Sequence, residues 1–138
     1  MNPSHSLLET HLPVAGRVLL SLLFIFHGAS KLLDFPGSVL FMGSHGFPMP
    51  EIVVAIAIIV ELGCGLALLF GFKTKIAAYS ISVLTFILTL VVYWGFWDYV
   101  SLTQILKNLA IIGGLLYAIH FAVTPVAKVA GEEFLRRK

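Results

Sequence analysis

Five residues here are of types that could do chemistry together: a carboxylate (Glu61), a histidine (His27), two lysines (Lys31 and Lys107) and an amide (Asn108). Glu61 is the most telling. It stands at the middle of residues 52–72, where every other residue is apolar or glycine. A helix of that length spans about 30 Å, the thickness of a bilayer's hydrocarbon core. A carboxylate at the centre of such a span costs roughly 3 kcal/mol on insertion scales. Glu61 therefore needs a partner, a proton or a role.

Helix phase and depth suggest who its neighbours are. At 100° per residue, Arg17, Ser21, Phe24, Gly28 and Lys31 share one stripe of the first apolar run, with His27 one turn before Lys31. That stripe is expected to face the bundle interior, because charged groups in a span avoid lipid. From the rise per residue, Lys31 and Lys107 fall roughly 3–8 Å below the outer boundary, His27 about 10 Å and Glu61 about 15 Å. Arg17 is shallow from the other side. Two readings stay open. One is a buried Arg17–Glu61 ion pair that fixes helix register. The other is a polar ligand or proton pocket opening outward, lined by His27, Lys31, Glu61, Lys107 and Asn108. His120, near the inner end of the last run, reads as an interfacial histidine.

The elements that must position these groups are transmembrane helices. The 138-residue chain is 59% hydrophobic and 12% charged, with a mean hydropathy of +0.98, too apolar for a soluble domain of this length. Four spans emerge, at about 12–33, 52–72, 76–96 and 102–123, in a single membrane domain covering 1–138. Gly71, Phe72, Lys73 and Thr74 form a short turn, so the second and third spans make a hairpin. Segment 35–49 combines Gly and Pro with Phe35, Phe41, Met42, Phe47 and Met49, which suggests an interfacial outer loop. Pro125 closes the fourth span, and the charged tail 124–138 is expected to form a short cytoplasmic helix. The fold expected is an all-α four-transmembrane-helix bundle.

Orientation follows from Lys and Arg. Seven of the nine (Arg17, Lys73, Lys75, Lys128, Arg136, Arg137 and Lys138) fall on the side of the termini, against Lys31 and Lys107 opposite, so both termini are expected in the cytoplasm. Tyr93, Trp94, Trp97 and Tyr99 cluster where an outer aromatic belt belongs. Gly63, Ala67 and Gly71, and Ala110, Gly114, Ala118 and Ala122, recur at four-residue spacing and are expected to bring helix backbones close. The first apolar run has no lysine or arginine before it and no small-x-small site closely after it, so it is not read as a cleaved signal peptide.

Composition also excludes. No basic tract is interleaved with aromatics, so nucleic-acid binding has no support. Cys64 is the only cysteine. It cannot make an internal disulfide or a CxxC pair, and it reads as a small residue buried between helices. Met42, His45 and Met49 have soft-ligand character, but one histidine without cysteine makes a weak copper set, and no metal site is expected. No nucleophile–base–acid arrangement, phosphate-cradling loop, haem or iron–sulfur ligand set or flavin signature is present.

Several short motifs, in order, resemble the DoxX family of small bacterial membrane proteins. They are Arg17; the run Phe26, His27, Gly28, Ala29, Ser30, Lys31; Gly46 to Pro50; Glu61, Leu62, Gly63, Cys64, Gly65; the turn at Gly71 to Thr74; and Lys107, Asn108 with Gly113, Gly114. The resemblance covers about residues 13–123. It implies a multi-pass four-helix bundle of the bacterial inner membrane, similar to the small DoxD-type subunit of thiosulfate:quinone oxidoreductase. The family's polar positions fall on Arg17, Lys31, Glu61, Lys107 and Asn108. It also implies a quinone-linked or oxidoreductase-associated role with a partner subunit, with quinone as the one cofactor implied and none encoded in the chain. An alternative is a transporter or export accessory for a small anionic metabolite, which with only four helices needs a homo-oligomer or a partner. Another is a purely structural subunit of a membrane complex. Whether the chain is catalytic stays open at this point.

Overall fold

Asp34 divides what would otherwise be one long helix. In the computed structural model, which describes residues 3–95 and 98–120 with side chains from residue 11, the order is α1 (Pro3–Leu33), α2 (Phe35–Ser44), α3 (Pro50–Phe70), α4 (Thr74–Tyr93) and α5 (Tyr99–His120). Asp34 leaves helical geometry (φ −121°, ψ 63°), and its Oδ1 accepts the Gly37 N–H at 3.1 Å. That is an N-cap, and Pro36 sits in the first turn where no intrahelical donor is required. Segment 35–49, expected as an interfacial loop, thus folds largely as a helix. The expected tail 124–138, together with Trp97, lies outside the described residues.

The remaining boundaries follow from local chemistry. Met49 takes a left-handed conformation (φ 51°) and Pro50 opens α3 with its preset φ. Gly71 (φ 75°) closes it. The Phe72 N–H donates to the Ala67 carbonyl at 2.8 Å and the Gly71 N–H to Leu68 at 3.2 Å, the reciprocal pattern of a Schellman motif. Lys73 (φ 42°) then turns the chain into α4. Within the described residues these helices run Pro50–Phe70, Thr74–Tyr93 and Tyr99–His120, where the expected spans are 52–72, 76–96 and 102–123; residues 121–123 lie outside the described residues. With His11–Leu33 of α1, four helices are long and apolar enough to cross a membrane.

These four close into a ring: α1 packs on α3, α3 on α4, α4 on α5 and α5 on α1. Phe24, Leu68, Ala77, Ala78, Ile81 and Leu115 form its core. The exterior is apolar: Leu19, Phe26, Ile59, Phe70, Ile76 and Leu106 each expose more than half of their surface. Such a surface suits lipid. Two buried hydroxyls are satisfied within their own helices: Ser21 donates to Arg17 O at 2.6 Å and Ser82 to Ala78 O at 2.7 Å.

α1 and α3 cross closely, and the glycines that permit it are Gly28 and Gly65. A Cβ on Gly28 would lie 2.8 Å from Leu62 Cγ, and one on Gly65 would lie 3.0 Å from Ile25 Cγ1. Gly63, expected at such a contact, has nothing within 4 Å. The crossing also sets the stagger. Leu62 is about 18 Å along α3, yet Gly28 is only about 8 Å from the end of α1. The first part of α3 therefore overtops α1 by about 10 Å. There α2 packs, burying Met42 with Val54 and Ile58.

Candidate functional site

One turn from each crossing glycine stands a charged residue. Lys31 follows Gly28 on α1, and Glu61 precedes Gly65 on α3. The Lys31 Nζ donates to Glu61 Oε2 at 2.7 Å and to Oε1 at 3.0 Å, and the two side chains are 18% and 6% exposed. Both carboxylate oxygens are thereby engaged in a charge-assisted bond of good length. The pair compensates a charge that burial at this depth would otherwise penalise.

The Arg17–Glu61 pair is not the one formed. Arg17 is buried at the opposite end of α3, where a Cβ on Gly71 would meet its Nη1 and Nη2 at 3.3 Å. Glu61 is about 15 Å away along the same helix. The reason lies in helix geometry. Side chains lean toward the N-terminus of their own helix. On α1 that direction carries Lys31 toward the level of Glu61 and carries Arg17 away from it.

Beside the pair lies a cavity of about 410 Å³. His27, Lys31, Glu61, Lys107 and Asn108 all line it. His27 and Lys31 come from α1, Glu61 from α3, and Lys107 and Asn108 from α5. Leu23, Phe24, Phe41, Met42, Leu88, Val92 and Ile111 supply apolar walls. It occupies the half of the bundle nearest the α1–α2 and α4–α5 connections. Lower down α1 and α5 close together, with Leu20 Cδ1 only 3.6 Å from where a Gly114 Cβ would be.

Sequence reading passed over the contribution of α4, whose one charged residue, Lys75, lies in its first turn, far from the cavity. Thr85, Thr89 and Tyr93 lie four residues apart on the cavity face. Thr89 Oγ1 donates to the Thr85 carbonyl at 2.6 Å and accepts from Asn108 Nδ2 at 2.9 Å. Their four-residue spacing was the available signal. Asp34 and Gln104 also line the space. His45 and His120 do not. His45 Nδ1 lies 2.7 Å from the Phe41 carbonyl, Met42 is buried and Met49 is exposed. Among the described residues no group of three or more His, Cys, Asp or Glu is arranged to hold a metal. Cys64 is half-buried against the main core.

The arrangement can bind a ligand that is largely apolar and carries a small polar head. Its volume falls in the usual range for small-molecule sites, and a few polar groups converge on apolar walls, the common pattern of such sites. The ammonium groups of Lys31 and Lys107 are donors only.

Comparison with known proteins agrees with this architecture. The DoxX family model matches residues 12–94. The chain is 30% identical over 125 residues to the inner membrane protein YqjF of Escherichia coli K12, covering 91% of this chain and 92% of that one. It is 30% identical over 110 residues to the inner membrane protein YphA of the same strain, covering 73% and 76%. No solved structure matches. With four helices able to cross a membrane and relatives of the inner membrane that align over most of their length, the chain is a multi-pass inner-membrane protein and belongs to the DoxX family.

Proposed function

We propose that this DoxX-family protein is a quinone-linked redox component or accessory, and that the cavity beside the Lys31–Glu61 pair holds the quinone head group. One observation carries the reading: charged and amide groups from three helices converge with apolar side chains on one cavity, among helices long and apolar enough to cross a membrane. A quinone is a flat ring with two carbonyl acceptors and a lipid-soluble tail. Lys107 and His27 offer donors to a carbonyl, and Phe24, Phe41, Leu88 and Val92 offer apolar contact to the ring and tail. The sequence carries no haem or iron–sulfur ligand set and no flavin signature. Electrons therefore come from a partner subunit bearing its own redox group, and this chain supplies the binding site. The test is extraction of protein purified from native membranes, with quinone expected in the extract. Glu61→Gln is expected to slow quinone reduction in membranes. A quinone-free extract together with an unchanged rate in that variant overturns the reading.

A second reading rests on Lys107. Lys31 is neutralised by Glu61, whereas Lys107 has no carboxylate within ion-pair distance among the described residues. That surplus positive charge suits a small anionic metabolite, handled with a homo-oligomer or partner completing the path. Unaltered uptake and efflux of candidate anions in a deletion strain count against it.

A further inference from the structure

Thr89 decides which end of the Asn108 amide is committed to α4. Thr89 is 6% exposed on α4, and its single hydroxyl hydrogen is used on the Thr85 carbonyl at 2.6 Å. Toward Asn108 it can therefore only accept. Asn108, on α5, must turn its Nδ2 to Thr89, and does so at 2.9 Å. The amide carries its oxygen on the opposite branch. Asn108 lines the cavity, so Oδ1 is left as an acceptor for whatever occupies it. The nearby alternatives differ. Both Glu61 oxygens already accept from Lys31 and Asp34 Oδ1 accepts the Gly37 N–H, so each keeps less acceptor capacity for a ligand than Asn108 Oδ1. An amide free to rotate could offer a donor or an acceptor to a ligand. This one is held in the accepting orientation.

We propose that Thr89 is a positioning residue that fixes Asn108 Oδ1 as an acceptor for a ligand hydroxyl, so that the cavity favours a dihydroxyaromatic head group, the hydroquinone, over the corresponding quinone. The proposal rests on the quinone reading above and sharpens it. Quinone oxygens are acceptors and gain nothing from Asn108 Oδ1, whereas a hydroquinone hydroxyl donates to it. Lys107 remains available as a donor to the oxygen of either form. One neutral hydrogen bond corresponds to a preference of about fivefold. Preferential binding of the reduced form by that factor raises the two-electron midpoint of the bound couple by about 20 mV, which makes quinone at this site the better electron acceptor.

The experiment is anaerobic equilibrium binding of decylubiquinol and decylubiquinone to the full chain in nanodiscs. Wild-type protein is expected to bind the quinol about fivefold more tightly. Thr89→Val keeps the shape and loses the hydroxyl, and is expected to bring the ratio to about one. Thr89→Ser keeps the hydroxyl and is expected to restore the preference, which a purely packing role for Thr89 does not predict. The dimethyl ether of the quinol, tested on wild-type protein, needs no variant and is expected to lose the advantage. Equal binding of quinol and quinone by wild-type protein, an undiminished preference in folded Thr89→Val, or full retention by the ether overturns the inference while leaving a quinone site in place. Absence of binding by both forms overturns the quinone reading and this inference with it.

Discussion

Lys31 meets Glu61 because Gly28, one turn before the lysine, lets the backbones of α1 and α3 approach at Leu62. The 2.7 Å ion pair and the 2.8 Å separation that a Cβ at Gly28 would impose belong to one feature. A side chain at the glycine would push the helices apart and lengthen the bond.

The pair itself is tested by Lys31→Met and Glu61→Gln, alone and together. Removing one partner of a buried pair leaves the other uncompensated and costs about 3 kcal/mol, whereas removing both costs much less than the sum. Thermal unfolding in detergent reads the coupling. Additive losses would show that the two residues do not act as a unit. If the pair serves only the bundle, the double variant regains both stability and activity. If it serves the cavity, activity stays low.

The crossing has an internal control. Gly28→Val and Gly65→Val overpack the α1–α3 contact and are expected to destabilise the fold by about 1–3 kcal/mol. Gly63→Val, on the same helix as Gly65 but facing open space, is expected to change stability by less than about 0.5 kcal/mol. Equal effects at Gly63 and Gly65 would show that the close approach lies elsewhere.

The start of α5 depends on pH through Asp98, which lies outside the spans. Its Oδ1 accepts the Ser101 hydroxyl at 2.6 Å, and Oδ2 accepts the N–H groups of Ser101 and Val100 at 3.2 and 3.1 Å. The Ser101 hydroxyl first, and then its backbone N–H, hold the Asp98 carboxyl below its ordinary 3.8. A group lowered on folding stabilises above its unfolded value and loses that contribution as pH falls through the folded one. Hydrogen-exchange protection at Val100 and Ser101 is therefore expected to hold at neutral pH and to fall in acid below 3.8. Asp98→Ala should lower it at neutral pH and abolish the fall in acid. Protection that survives that substitution would exclude the cap.

Orientation is predicted from charge. The Lys73 and Lys75 turn and the N-terminus are expected on the cytoplasmic side, opposite Lys31 and Lys107. Alkaline phosphatase inserted at residue 73 should be inactive, and inserted after Gly95 it should be active. The reverse pattern would invert the topology.

The four-helix membrane class, the burial of Glu61 and the set of five polar residues were legible in the sequence, because lipid penalises charge and so makes each intramembrane charge conspicuous. The hairpin at Gly71 was legible because a left-handed residue there favours glycine. The partner of Glu61 was not. Arg17 and Lys31 share one stripe, and depth counted along each helix assumes that both helices start level. The Gly28–Leu62 and Gly65–Ile25 contacts shift α3 by about 10 Å relative to α1, and only that stagger puts Glu61 beside Lys31. Thr89 was hidden for another reason. A threonine in a membrane helix is usually satisfied by its own backbone, as this one is by Thr85, and only the packing of α4 on α5 turns its remaining lone pairs toward Asn108. Residue types alone determined which groups must leave the lipid. Their pairing depends on relative helix positions, which arise from contacts between segments far apart in the chain and became visible only in the folded bundle.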